Sequence, residues 1–208
     1  MEQEEVWDEI APYWDEYKKK PFGKEDDKPK LVEDFITADD KKVLDLGCGS
    51  GRNFYKIKGV IYGVDFSAEM LKLAEKNAKK QGIKAVFNKA KTSKLPFEDN
   101  FFDKALFIAT LHCVEGEKER KKSIQELYRV LKPRGKALIT VWNKQSKRWK
   151  NKPKEKIVSW NAGGKKVMRY YYLYDFDELK KLLESVGFKV IWNNFTELAR
   201  NIIVVVEK

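Results

Sequence analysis

The chain is poor in the residues that build thiol and metal chemistry: among 208 residues it has two cysteines and one histidine. Cys48 and Cys113 lie in unrelated contexts, and His112 is the sole histidine. This scarcity excludes a Cys₂His₂ zinc site, a Cys-x-x-Cys redox pair and a disulfide framework, and no metal site is expected. A serine triad would have to use His112, yet no Gly-x-Ser-x-Gly elbow accompanies it. No apolar run approaches the roughly 18 residues of a membrane span. The opening Met1–Ile10 lacks the basic-then-apolar order of a signal peptide. The expectation is a soluble, cytoplasmic protein without membrane contact.

What is present is enough for a core. Hydrophobic residues make up 42% and aromatics 13% of the chain, which excludes a disordered polymer. The length suits a single domain over residues 1–208. The net charge of +11 comes from 43 basic against 32 acidic residues. A Lys/Glu-rich surface of the heat-adapted kind accounts for the amount of charge but not for its imbalance, which favours a polyanionic partner.

Short apolar runs alternate with amphipathic segments, the pattern of an α/β sheet. Helices are expected at Glu4–Lys20 and, opened by Pro29, at Lys30–Ile36. Strands are expected at Lys42–Leu46, Val60–Asp65, Lys84–Asn88, Asp103–Ala109 and Lys136–Val141. Between them fall helices at Asn53–Lys58, Ala68–Gln81, stopped by Gly82, and Lys118–Leu131, ended by Pro133 and Gly135. A helix at Asp175–Val186 and an antiparallel pair, Phe188–Asn193 with Ile202–Glu207, close the sequence. One stretch breaks the rhythm: Lys144–Lys156 carries seven basic residues and one acid around Trp149. It opens a basic, aromatic insertion over 144–172 that also holds Trp160 and three consecutive tyrosines.

The chemistry centres on Val43–Gly51, read as a buried strand feeding a glycine loop at a helix start, with Gly47, Gly49 and Gly51 letting backbone approach a nucleotide-like ligand. Asp65 ends the next strand, close to the offset of about 20 residues at which a carboxylate takes ribose hydroxyls. The spacing is Gly-x-Gly-x-Gly, not the Gly-x-Gly-x-x-Gly that seats a pyrophosphate. Asp45 beside the loop would repel a pyrophosphate and attract an ammonium. A ligand with adenine, ribose, an ammonium and a sulfonium fits both details: S-adenosylmethionine. The alternative is a merely structural glycine turn.

On these residues the sequence resembles the class I S-adenosylmethionine-dependent methyltransferases over about Leu31–Lys208. Val43–Gly51 resembles their first motif and Gly63–Ser67 their acidic ribose motif. Leu95–Asp99 with Phe102–Leu106 looks like their fourth-strand region, and Leu127–Gly135 like the helix and turn before the fifth strand. The resemblance implies a Rossmann-like seven-stranded sheet with an antiparallel last hairpin, here with an amino-terminal helical extension over 1–36. Lys89 departs from the family, which commonly has Asp before the alanine that meets adenine. Adenine is then expected on the Ala90 backbone and on apolar packing from Phe66, Met70 and Leu95.

A closer resemblance is to the tRNA wobble-uridine methyltransferases that esterify 5-carboxymethyluridine, including the domain fused to an AlkB-like dioxygenase. It rests on Ile108–His112, Glu119–Lys121, Val141–Gln145, Arg169–Leu173 and Lys20-Pro-Phe. The family's paired histidines become His112-Cys113, and its Thr-Arg-Tyr becomes Tyr17-Lys-Lys19. An ionised carboxylate needs alignment and desolvation, not a strong base. Lys18, Arg120, Arg169 and His112 are therefore candidates to orient the carboxylate and the anticodon phosphates. His112 has a second reading, a neutral histidine hydrogen-bonded at a strand end. Trp149 and Trp160, interleaved with lysines, suggest base stacking on RNA; a solvated loop is the plainer reading. The Tyr170–Tyr172 run is equally core or lid, and the Trp7/Tyr13/Trp14/Tyr17 stripe reads as helix packing. The resemblance also implies a small zinc-binding activator adding a strand beside Lys84–Asn88, whose Ala85, Val86 and Phe87 offer little self-protection as an edge. Two rival readings remain: a small-molecule methyltransferase with an incidentally basic surface, and a non-catalytic RNA-binding module of the same fold.

Overall fold

The computed structural model describes residues 2–19, 28–196 and 199–208, with the side chains of 15–19 and 28–30 left out. Two helices, α1 (Gln3–Lys19) and α2 (Lys28–Phe35), precede a seven-stranded sheet. Its strands are β1 (Lys42–Leu46), β2 (Val60–Asp65), β3 (Ala85–Lys89), β4 (Phe102–Ile108), β5 (Leu131–Trp142), β8 (Lys189–Asn193) and β9 (Asn201–Glu207), in the order β3-β2-β1-β4-β5-β9-β8. The pairs from β3 to β5 are parallel, and β9 runs antiparallel between β5 and β8. The strand order reverses between β1 and β4, which opens a crevice at their carboxyl ends. No described helix is long and apolar enough to cross a membrane.

The central strands are buried on both faces, so they read as continuous apolar runs. One face packs Leu44, Leu46 and Phe107 against α4 (Glu117–Val130) and α5 (Phe176–Val186). The other packs Val43, Ile61 and Leu106 against α2 and α3 (Ala68–Gln81). The bounds of α3 follow from its caps: the Ser67 hydroxyl accepts the Met70 N–H at 3.0 Å, and Gly82 ends the helix at φ +63°.

Three expectations need correction. No helix forms at 53–58: after turns at 51–53 the chain runs as coil, because Phe54, Tyr55 and Ile57 pack toward the α3 face and Lys58 N–H bonds the Ala38 carbonyl at 2.7 Å. Pro133 and Gly135 do not separate helix from strand but lie within β5. The basic insertion is half ordered sheet, a hairpin of β6 (Glu155–Ala162) and β7 (Lys165–Tyr172) outside the main sheet. Helix α1 lies between this hairpin and α3, joining Val6, Ile10 and Ala11 to Met70, Ala162 and Val167 in a third apolar cluster.

Candidate active site

Three strand ends converge on one cleft. Behind β1, the N–H groups of Gly47 and Cys48 both bond the Val64 carbonyl, at 2.7 and 2.9 Å, pinning the glycine loop to β2. Gly47 has φ +73°, and a side chain there would meet Thr110 at 2.2 Å, so only glycine fits. Behind β4, Ala109 sits at φ +53°, uncommon for a residue with a side chain. Its N–H holds that geometry by bonding the Thr140 carbonyl at 3.1 Å and hydroxyl at 2.9 Å. Strain of this kind collects where function needs it.

Asp65 closes the arrangement at the end of β2. Its carboxylate accepts the Gly49 N–H and the Ser67 N–H, both at 2.9 Å. Burial raises it to about 6 against these N–H bonds, and Asp8 adds to the rise. Asp45 is fully buried behind the loop, and neither of its oxygens has a hydrogen-bond partner among the described residues. Burial lifts it to about 7; the Asn53 side chain offsets part of this and the Asp65 charge adds to it. A carboxylate kept this dry is stable ionised only beside a cation.

The cleft has two lobes that share Gly47, Asp65, Phe66, Thr110 and Cys113. Trp7, Trp14, Arg52 and Met70 extend one lobe. Gln3, Ala90, Thr92, Ser93 and Glu119 extend the other, of about 380 Å³. Gly47, Gly49, Asp65, Phe66, Met70 and Ala90 all line the cleft, but Met70 and Ala90, both expected at the adenine, fall in different lobes. Leu95 does not line it: it is buried in the main core, and neither lobe includes it. Asp45, fully buried, and Gly51 also lie off the lining; for Gly51, φ of +77° and the Phe54 ring, 2.6 Å from where a side chain would start, make it a conformational residue. Lys89 is off the lining and pairs at 2.8 Å with Glu4 of α1, which lines the second lobe.

The cationic candidates divide. Arg120 is buried and spent on packing: it donates to the Tyr170 hydroxyl at 3.0 Å and lies 3.8 Å over the Tyr172 ring. His112 stacks on Trp142 at 5.0 Å, within the core and off the lining. The Lys18 side chain lies outside the described residues. Arg169 also lies off the lining of both lobes, 7% exposed behind the Trp7 and Trp14 wall and ringed by Trp7, Trp14, Trp160 and Tyr171 at 5.2–5.8 Å. Among the described residues it has no acidic partner, and its Nε makes no hydrogen bond. Trp149 is not a free stacking surface either: it is buried against Trp142 at 5.2 Å, with Arg148 over its outer side at 4.5 Å. Sequence reasoning missed Arg52, although its place directly after the glycine loop is a signal. It also missed Trp7 and Trp14 as cleft walls, since helix packing alone accounts for their spacing.

The family described as Methyltransferase domain matches residues 44–139, the span from β1 through β5. A putative methyltransferase of Encephalitozoon cuniculi is 32% identical over 156 residues, covering 72% of this chain and 70% of the relative. The chain belongs to the methyltransferase-domain family. Among its relatives is the tRNA (carboxymethyluridine(34)-5-O)-methyltransferase of Schizosaccharomyces pombe, 28% identical over 92% of this chain and 90% of that protein. The CcbJ methyltransferase of Streptomyces caelestis shares the fold, with a TM-score of 0.78 at 17% identity over 97% of this chain and 96% of that one.

The residues of this methyltransferase fit S-adenosylmethionine. The orphaned Asp45 carboxylate suits an ammonium, and the Asp65 oxygens suit a ribose diol. Nothing lies within 4 Å of where a side chain on Gly49 would begin, which leaves its backbone open to a ligand. The absence of a helix after the loop removes the dipole that a pyrophosphate would use. Burial raises the Cys113 thiol to about 12 despite the nearby Arg169 charge, so it is a neutral wall and not a nucleophile.

Proposed function

We propose that this methyltransferase esterifies a carboxylate on the wobble uridine of tRNA, of the 5-carboxymethyl type, using S-adenosylmethionine. The single observation that carries the reading is Arg169. Among the described residues this guanidinium has four aromatic rings around it and no acidic partner, so an anionic ligand would complete its surroundings, and a carboxylate matches its planar fork. Asp45 would hold the ammonium, Asp65 the ribose and the Ala90 backbone the adenine. When bound, the cofactor supplies an electrophilic methyl group. The chain's own task is to orient the acceptor and exclude water. The ionised oxygen is already nucleophilic, so no side chain need take a proton.

The relative from Schizosaccharomyces pombe supports this reading over a small-molecule acceptor. So do the exposed cations Lys147, Arg148, Lys150 and Lys152 on the segment before β6. The reading treats residues 1–208 as one domain and carries a cytoplasmic location with it. It also includes a small zinc-binding activator pairing along β3.

The test is mass spectrometry of nucleosides from tRNA incubated with the protein and labelled cofactor. The expected product is a methyl-esterified uridine whose label is released by mild alkali. Arg169→Met should lower its formation at least about thirtyfold, the lower end for removing one partner of a buried charge pair. Label transfer indifferent to ribonuclease would favour the small-molecule reading. Absence of cofactor binding in calorimetry would favour a non-catalytic RNA-binding module.

A further inference from the structure

Helix α1 touches both halves of the cleft. On its cofactor side, Asp8 Oδ1 accepts the Ser67 hydroxyl at 2.6 Å and the Glu69 N–H at 3.2 Å. Ser67 N–H donates in turn to Asp65 Oδ1, and Asp65 Oδ2 accepts the Gly49 N–H, both at 2.9 Å. An unbroken chain of hydrogen bonds thus runs from α1 through the cap of α3 to the ribose carboxylate and the glycine loop. On the side toward Arg169, Trp7 and Trp14, two turns apart and so on one face, line the lobe that also holds Gly49 and Met70, and flank Arg169 at 5.8 Å each.

Beside the apolar seam of Val6, Ile10 and Ala11, the remaining attachments of α1 are polar and partly solvated. Glu4 pairs with Lys89, and Glu9 with Lys165. The Gln3 side chain accepts the Tyr170 N–H at 3.0 Å and donates to the Met168 carbonyl at 3.5 Å, engaging the free edge of β7. Pro12 lacks the N–H that would complete the helix bond to the Asp8 carbonyl. An element held this way opens at lower free energy than the sheet beneath it.

We propose that Asp8 is a positioning residue through which docking of α1 couples the two halves of the site, so that filling the cofactor half raises affinity in the acceptor half. The proposal rests on the cofactor and acceptor reading above. By reciprocity, tRNA must tighten cofactor binding by the same factor.

The experiment combines calorimetry with S-adenosylhomocysteine, with and without tRNA, and hydrogen exchange of the α1 amides in the unmodified protein. S-adenosylhomocysteine should raise protection over residues 3–14, and tRNA should tighten its binding. Asp8→Ala should weaken it about tenfold, as expected for a hydrogen bond to a charged group, and remove the effect of tRNA. Asp8→Asn should restore the effect of tRNA and part of the affinity, because its carbonyl still accepts from Ser67 and Glu69 without the charge. Protection of α1 that ignores the ligand overturns the coupling even if Asp8→Ala cannot be folded. Equal affinity of native and Asp8→Ala protein also overturns it while leaving the cofactor reading intact. If the native chain fails to bind S-adenosylhomocysteine, the cofactor reading falls and the coupling with it.

Discussion

Asp45 occupies a position that burial makes unfavourable for its charge. Its folded-state value of about 7 lies above the ordinary carboxyl value of 3.8 that it has when unfolded. The folded chain therefore holds the proton more tightly. Without ligand, the contribution of this group to stability is full below about pH 4 and is lost as pH rises toward 7. Asp65, raised to about 6, acts in the same direction over a slightly lower range. Asp45→Asn removes the penalty at this position, so the ligand-free variant at pH 8 should be more stable by about 1–3 kcal/mol in denaturant titration. The same variant should lose ligand affinity. In the native protein, S-adenosylhomocysteine affinity should fall toward tenfold per pH unit below 7, because binding an ammonium needs the carboxylate. Calorimetry over pH 5.5–8 checks this, and a profile that Asp45→Asn leaves unaltered would separate Asp45 from the ligand.

At the level of elements, the legible parts of the sequence were those whose local chemistry and tertiary setting agree. The strand into Gly47, the Asp65 strand end and the Ser67-to-Gly82 helix each carry a period, a cap or a stop that the folded chain uses. The hairpin β6–β7 was illegible because lysines interrupt its alternation: Lys156, Val158 and Trp160 turn inward while Glu155, Ile157 and Ser159 face solvent. Gly163-Gly164, both at positive φ, was the available turn signal. Within the site, Leu95 was misplaced because apolar character does not tell a ligand wall from a core wall. The segment before β6 retains its exposed charge even though Trp149 is internal. Replacing Lys147, Arg148, Lys150 and Lys152 together should weaken tRNA binding and reduce the slope of log affinity against log salt by about 3–4, near one for each phosphate no longer neutralised. An unchanged slope in filter binding from 50 to 200 mM salt would move the RNA footprint elsewhere.

For the molecule as a whole, the sheet has two open sides, and β3 is the one beside the ribose strand. Ile61 N–H bonds the Lys84 carbonyl at 3.0 Å, so in this parallel ladder Val86 turns its backbone groups to β2 while Ala85 and Phe87 turn theirs outward. The Val86 side chain is 45% exposed, and an incoming strand would find unpaired donors beside an apolar contact. The described residues include no cluster of three or more His, Cys, Asp or Glu that could hold a metal. Zinc would therefore tag the activator proposed above. Protein purified from its native cells should carry about one zinc per chain by elemental analysis, and Ala85→Pro, which deletes an outward donor at a strand start, should lose it. Equal zinc in both would place any such partner away from β3.

The docking of α1 also has a consequence in time. Gln3 meets Tyr170 across 167 positions of sequence. Ribosomes add roughly 5–20 residues per second, so α1 emerges about ten seconds or more before the hairpin it lies against. Strands β1 to β5 and α3 are made in that interval, so α1 can meet α3 early but waits for the hairpin half of its seat. Until then Trp7 and Trp14 lack their cover from the hairpin, and the wall of the cleft that they form beside Arg169 is finished only once β7 has been made.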